Sequence, residues 1–518
     1  MSAPASAAYD EPRPLTGRAL ALTALALAAG TFMQVLDTTI ANVSIPTIAG
    51  DLGVTSSQGS WVITSFAVAN GVSVPLTAWL MGRFGPAKTF IASVALFTIA
   101  SFLCGIAWNL PSLLAFRLLQ GGVSGPMIPG SLVLLTSIFP RRQAAIAAAV
   151  WSMTTMAAPV AGPILGGWIS DNLTWSWIFL INVPVGLVCV LLTWRGMKGR
   201  DAPGRKLPVD RVGLGLLVVW VGALQVMLDT GKDADWFASP TIVALALVAA
   251  IGFVAWVIWE STEANPMVDL SIFRSRNFAI GVTAFSLSYA AFFANILLLP
   301  LWLQTQLGYV ATWAGLVLAP AGVLAVLMAP IGARFLGRVD SRITASAALG
   351  LFAVSCFMRA GLTPDADFTA LVLPMFAQGV AMGIFFTSMI NLSMSGLPPE
   401  RTAAASSLLN FARITAGGFA ASVVTTLWER REALHQTRLA ESLGAQPGAL
   451  DQTLAQLGGL GASNGSALAM VGRTAASQAY SFAAVDIFWL SGWIMLLIIP
   501  AIWFARRALP SGGMVAAE

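Results

Sequence analysis

Apolar runs of roughly twenty residues recur along the whole chain, separated by short polar turns. At 1.5 Å of rise per residue, each run is long enough as a helix to cross about 30 Å of hydrocarbon. The runs predict spans at 18–46, 58–81, 89–108, 112–139, 144–169, 177–195 and 212–230, then at 239–259, 279–303, 313–335, 343–361, 370–394, 404–428 and 485–505. The reading is therefore an all-α integral membrane protein of fourteen transmembrane helices. The first run holds an acid and lacks a cleavage site, so it reads as a retained span rather than a signal peptide.

Composition agrees: 57% of the 518 residues are hydrophobic and only 10% are charged, against about 25% charged in a soluble domain. The charges carry a second message. With an even number of spans, twenty of the 28 Lys and Arg residues fall on one face, among them Arg18, Arg83, Lys88, Arg195, Arg276 and Arg506. The positive-inside rule makes that face, and both termini, cytoplasmic. Removing one span would scramble the asymmetry. The net charge of +5 is thus a topology signal and not a nucleic-acid footprint. Lys232, Arg359, Arg430, Arg431, Arg438 and Arg473 are assigned to the opposite face, while Arg117 and Arg413 fall inside spans.

Other chemistries are excluded or weakly supported. No GxxxxGK[ST] run is present, so direct driving by ATP has no support. Cys104, Cys189 and Cys356 sit in separate apolar stretches and His435 is the lone histidine, so neither a metal site nor a cofactor is expected.

An internal repeat organises the spans. QGGVSG at 120–125 recurs as QGVAMG at 378–383, an offset of 258 residues, with Pro140 over Pro398 and Ala145 over Ala403. Six helices, two extra, then six more produce this offset, which is the parallel-repeat plan of major-facilitator-type transporters. The chain divides accordingly into a tail at 1–17, a first six-helix half at 18–195 and a linker with two additional helices at 196–278. A second half follows at 279–505, with a tail at 506–518. Its long outer loop at 429–484 has Leu434, Leu439, Leu443, Leu450, Leu454 and Leu457 at partly helical spacing, which reads as one or two surface helices or as a docking surface for a periplasmic partner.

Within this frame a few residues can carry chemistry. Asp37 lies in the outer half of the first span, and an acid stripped of water favours its neutral, proton-carrying form. A solvated acid hydrogen-bonded to Thr38, Thr39 or Asn42 is the structural alternative. Arg117 in the fourth span keeps its proton and is either a fixed charge that modulates Asp37 or a hydrogen-bond hub. Its repeat partner is Met375, so the halves are chemically unequal. The run APVAGPILGG at 158–167 places Pro159, Gly162, Pro163, Gly166 and Gly167 in the fifth span, suiting close packing against a moving neighbour. Arg413 either pairs with an acid or contacts an anionic substrate, or is a structural tie to carbonyls. Gln34, Asn42, Trp61, Trp151, Met153 and Phe292 are candidates to line a substrate cavity. Asp229 and Asp486 read as interfacial, and Asp171 as a solvated loop residue.

LLAFRLLQGGVSG, APVAGPILGG and LDTTIANVSIPTIA together resemble the fourteen-helix drug:proton antiporters of the major facilitator superfamily. The resemblance covers roughly residues 30 to 505. One motif departs: AWLMGRFGPAK has Ala78 and Gly82 where the superfamily's loop usually has glycine and an acid. The resemblance implies a proton-coupled pump of hydrophobic drugs in the inner membrane of a Gram-negative cell. It further implies a periplasmic membrane-fusion adaptor and a TolC-type outer-membrane channel as partners. A transporter of the same fold dedicated to one metabolite or siderophore, and a membrane sensor that does not transport, are the rival readings.

Overall fold

The computed structural model describes residues 14–140, 143–200, 210–231, 234–263, 266, 268–336, 339–398, 401–444, 448–459 and 463–507. Among them the regular elements are helices, as an apolar solvent demands of a spanning backbone that must satisfy its own hydrogen bonds. They are α1 (Gly17–Leu52), α2 (Ser56–Phe84), α3 (Pro86–Gly105), α4 (Leu110–Ser124), α5 (Met127–Ile138), α6 (Ala144–Asn172), α7 (Trp177–Leu180), α8 (Asn182–Met197) and α9 (Arg211–Thr230). After these come α10 (Pro240–Thr262), α11 (Arg276–Thr305), α12 (Ala311–Leu336), α13 (Ser341–Ala360), α14 (Phe368–Met394), α15 (Thr402–Gly444), α16 (Ala449–Gly459) and α17 (Asn464–Trp503).

Thirteen stretches of described residues are long and apolar enough to cross a membrane. The 29-residue α6 is a further long helix between them, which is consistent with the fourteen spans expected. Two spans are broken helices. α4 and α5 are separated at Gly125–Pro126, where a Cβ on Gly125 would press against the backbone of Ser73 in α2. Helix starts are encoded locally: Thr55 and Gln58 form a reciprocal capping box on α2, with bonds of 3.1 and 3.2 Å. Large apolar side chains such as Leu25, Ile99, Leu247, Ile251 and Leu497 remain exposed, the lipid-facing belt of a membrane bundle.

Short turns make successive spans antiparallel. The α2–α3 turn with Arg83 and Lys88 therefore shares one end of the bundle with the starts of α9, α11 and α13. Leu15 donates to the Ile138 carbonyl, fastening the start of α1 to the end of α5 at this basic end. There, one apolar core belongs to α1–α8 (Leu27, Phe90, Phe97, Leu135). A second is built mainly from α11–α17 (Phe285, Phe352, Phe385, Leu392) and also takes in Val68, Trp220 and Trp256. At the opposite end a single core mixes both sets, with Ile40, Val43 and Ile169 against Leu297, Trp302, Ala314 and Val317. The helix sets are thus joined at the end away from the basic turns.

Two seams make that joint, α6 against α12 and α2 against α15. Asp171 is part of the first. It is exposed, as expected, but it lies at the end of α6 and not in a loop, and its carboxylate accepts from the Ala311 and Thr312 amides at 3.1 and 2.6 Å. The free N–H groups and positive dipole at the start of α12 attract the acid across the seam. Asp229 likewise is not merely interfacial. It accepts from Thr64 at 3.0 Å, from Gln225 at 2.8 Å and from Ser422, docking α9 onto the α2–α15 seam.

The expected outer loop at 429–484 is largely helical. α15 runs on to Gly444 and α17 begins at Asn464, with α16 between. The apolar pattern stops at the membrane edge, but the helical backbone continues in polar sequence. Trp428 donates to the Tyr480 carbonyl at 2.8 Å, and Asp486 pairs with His435 at 2.9 Å and Arg431 at 3.5 Å. Asp486 is therefore a tie between these extensions.

Gly166 packs on α1, where an added Cβ would lie 2.5 Å from the Ile40 carbonyl oxygen; at Gly122 it would meet nothing within 4 Å. Gly166→Ala should lower the thermal unfolding midpoint in detergent, the strain of an overpacked contact costing about 1–3 kcal/mol. Gly122→Ala should leave the midpoint unchanged or raise it. Equal midpoints for the two variants would contradict this packing.

Candidate functional site

A continuous polar cluster lies inside α1–α8. Asp37 has no exposed surface and Arg117 is 1% exposed, yet they form an ion pair of 2.5 Å. Gln120 donates to Asp37 Oδ1 at 3.1 Å and Asn182 donates to the same oxygen at 3.0 Å. Arg117 also donates to the Val62 carbonyl at 2.9 Å and to Gln120 Oε1 at 2.7 Å. Its guanidinium stacks over Phe66 and Phe179, 4.3 and 5.3 Å from the ring centroids. Asn182 continues to Ser101 at 3.0 Å, and Ser101 to the Phe179 carbonyl at 2.9 Å.

Helix geometry explains the convergence. Arg117 and Gln120 are three residues apart, hence on one face of α4. α4 packs on α2 and α3, while α1 packs on α8, so five helices contribute to one site. A charge in a low-dielectric interior is tolerated only with a partner and saturated hydrogen bonds, and this cluster supplies both. The cluster is chemically able to switch. A protonated Asp37 would lose the attraction to Arg117 and gain an O–H donor.

Asp37 is not bonded to Thr38, Thr39 or Asn42, the partners one reading anticipated. Thr38 and Thr39 instead bond to carbonyls of their own helix. Asn42 is 1% exposed, with neither amide atom partnered, and the Gln34 Oε1 is likewise buried without a partner. Trp61 is half-buried against the shared core. Trp151 donates to Ser131 at 3.1 Å, holding α6 to α5. Phe292 is buried in an aromatic cluster with Tyr289, Phe352 and Phe386. Arg413 stacks over Tyr289 at 4.8 Å and donates to Asn410 at 3.3 Å. Phe292 and Arg413 therefore meet around the Tyr289 and Phe386 rings, while Trp151 is tied to α5. The side chains of Met153 and Pro159 lie outside the description.

In the glycine-proline run, a Cβ on Gly162 would strike the Thr39 hydroxyl, and one on Gly167 the Ala311 carbonyl. Gly315 of α12 meets the Pro163 carbonyl in the same way. α6 thus touches α1 with Gly162 and Gly166 and α12 with Gly167, joining the two helix sets along one seam.

Gln120 and Asn182 were not singled out by the sequence, although Gln120 opens the repeated QG motif and Asn182 stands in WIFLINVPVG. Arg359, assigned from the sequence to the outer face, is instead 1% exposed, close to the end of α13. An arginine at the end of an apolar run looks interfacial until its long side chain is seen turned inward.

Two sets of helices closed around buried polar groups define a membrane transporter fold, and residues 27–422 match the family model of the Major Facilitator Superfamily. The chain belongs to that superfamily and is a multi-pass membrane protein. It is similar over nearly its full length to the Multidrug export protein EmrB of Escherichia coli strain K12, with 46% identity covering 97% of this chain and 99% of that protein. The Fatty acid resistance protein FarB of Neisseria gonorrhoeae is also 46% identical, covering 96% and 99%. Among solved structures, an auto-inhibited POT family peptide transporter superposes with a TM-score of 0.64 at 14% identity, covering 95% of this chain and 97% of the other. A bacterial homolog of the human lysosomal transporter Spinster, inward-facing and unoccupied, gives 0.61 at 15% identity, covering 95% and 99%. These likenesses show the fold.

Arg117→Gln leaves a buried carboxylate without its cation and should destabilise the protein by about 3–5 kcal/mol. Adding Asp37→Asn should recover part of that loss, so the double variant unfolds at a higher temperature than Arg117→Gln alone. Additive midpoint shifts would mean that the two side chains are not energetically coupled.

Proposed function

We propose that the protein is a proton-coupled antiporter that exports hydrophobic drugs and toxicants across the inner membrane of a Gram-negative cell by alternating access. The observation that carries this reading is the fully buried Asp37–Arg117 pair on a helix that packs directly on the inter-half seam. Asp37 is two residues from Thr39 and three from Ile40, the residues on which Gly162 and Gly166 rest. Gly167 of the same α6 rests on α12.

A proton on Asp37 removes one charge of the pair and loosens α1 from α4. The change passes through α1 to α6 and on to α12. The form described here is closed at the end away from the basic turns, so the basic, cytoplasmic end is the one from which substrate enters. Proton and substrate each favour a different facing, and a ligand shifts such an equilibrium only by its differential affinity for the two forms. Protons entering from outside then drive substrate outward. The names of the two relatives, a multidrug export protein and a fatty acid resistance protein, support export of apolar molecules.

The helical extensions of α15 and α17, with α16 between them, are proposed as the contact for a periplasmic membrane-fusion adaptor of the EmrA type. That adaptor would lead to a TolC-type outer-membrane channel. They project beyond the shared core at the end opposite the basic turns.

Asp37→Asn in proteoliposomes should still bind drug but lose transport driven by a pH gradient. Normal gradient-driven transport by this variant would remove Asp37 from the coupling step. Shortening 436–475 should reduce adaptor recovery in a pull-down more than it reduces membrane insertion; undiminished recovery would rule out this docking surface.

A further inference from the structure

The second half contains a counterpart of the Asp37 site with the acid deleted. The repeat offset of 258 residues carries Asp37 onto Asn295 and Gln120 onto Gln378. Both partners reappear around a buried arginine, but that arginine comes from a different helix. Arg359 of α13 donates to Asn295 Oδ1 at 3.2 Å, to Ser355 Oγ at 2.8 Å and to Gln378 Oε1. Where the first half has Arg117, the second has Met375.

The electrostatics of the two sites differ sharply. Arg117 faces a carboxylate at 2.5 Å. Arg359 is 1% exposed and, among the described residues, has no carboxylate within 4.0 Å. Its Nε is buried with no hydrogen-bond partner. An uncompensated cation within a membrane protein is costly and marks a ligand or ion path. Arg359, Asn295 and Gln378 line a cavity of about 40 Å³ between the halves, room for about two or three waters. Thr39 and Pro163 form its wall on the first half, and Ile296, Leu299, Leu318, Met375 and Met382 supply apolar surface.

We infer that Arg359 is the anion-binding subsite of the transport pathway, taking the carboxylate head of an amphipathic organic anion while its apolar tail lies on the Met375–Met382 face. The missing acid of the second half is supplied by the substrate. A head group fits the cavity in the closed form, and the tail is accommodated as the halves part. A guanidinium suits this task because its fixed fork of donors matches a carboxylate. The site abuts Pro163 of the seam helix and Thr39 of α1, so an anion bound there touches the elements that Asp37 controls. The inference deepens the export reading and rests on it.

The test measures binding of dodecanoate, uncharged dodecanol and cationic dodecyltrimethylammonium to the full-length protein in phosphatidylcholine nanodiscs, by tryptophan quenching. Arg359→Gln should weaken dodecanoate by about tenfold or more, the loss of one charged hydrogen-bonded contact, and leave the other two ligands unchanged; Arg359→Lys should retain most of the affinity. Because Arg359→Gln disrupts three buried hydrogen bonds at once, Asn295→Asp provides a second route. It installs the carboxylate that Asp37 provides in the other half, and should weaken dodecanoate to a similar extent while raising the thermal midpoint. Unchanged dodecanoate affinity in Asn295→Asp, or equal losses for all three ligands in Arg359→Gln, would overturn the site. Replacing phosphatidylcholine by phosphatidylglycerol should not compete with dodecanoate; competition that Asn295→Asp abolishes would assign the site to a lipid head group instead. Binding is read without a gradient, so these outcomes separate from failure of proton-driven export. Loss of export with dodecanoate binding intact would count against the export reading alone.

Discussion

Burying charge in a medium that cannot hydrate it is the constraint on which this molecule turns. An isolated carboxylate in the middle of a bundle would cost several kcal/mol, and removing either partner of a buried pair leaves that cost unpaid by any attraction. Asp37 and Arg117 therefore hold each other in place, and Gln120, Asn182 and the Val62 carbonyl complete their hydrogen bonding. Five helices are bound into one unit as a consequence. The same interaction is the one that the proposed protonation of Asp37 would weaken.

The two halves deal with buried charge differently. The repeat keeps the amide positions, Gln120 over Gln378, and replaces Asp37 by Asn295. The first buried site is then internally neutral, while the second keeps an arginine with no carboxylate within 4.0 Å among the described residues. Between them runs α6, whose glycines admit α1 on one side and α12 on the other. Close backbone contact through small residues holds helices by packing and not by long interlocking side chains. That is suited to a joint whose two sides change their relation.

Much of the fold was legible in the sequence because lipid imposes a simple rule: each crossing needs about twenty apolar residues. The spans from 18 to 428 follow that rule, and the shared family is visible in motifs spread along the chain. The rule is silent where the helix leaves the membrane, so only the leucine spacing pointed to helix in the outer segment, and the unbroken continuation of α15 and α17 into it was not legible. The candidate site was partly legible. Asp37 and Arg117 stood out as costly residues, but their pairing depended on which faces of α1 and α4 turn inward. Gln120 and Asn182 are ordinary residues until the acid between them is located. Arg359 was misassigned because position at a span's end says nothing of where a long side chain reaches. Asp171 is exposed as the sequence suggested, but its contact with a helix start 140 residues away was not legible.

The central claim is that Asp37 carries the exchanged proton. Its most direct test is proton release on substrate binding by the purified protein, followed with a pH-sensitive dye in weakly buffered detergent solution. The account predicts release from the wild type as drug is added, and none from the Asp37→Asn variant at matched occupancy. Equal release from both, or no release from the wild type while drug binds, would contradict it.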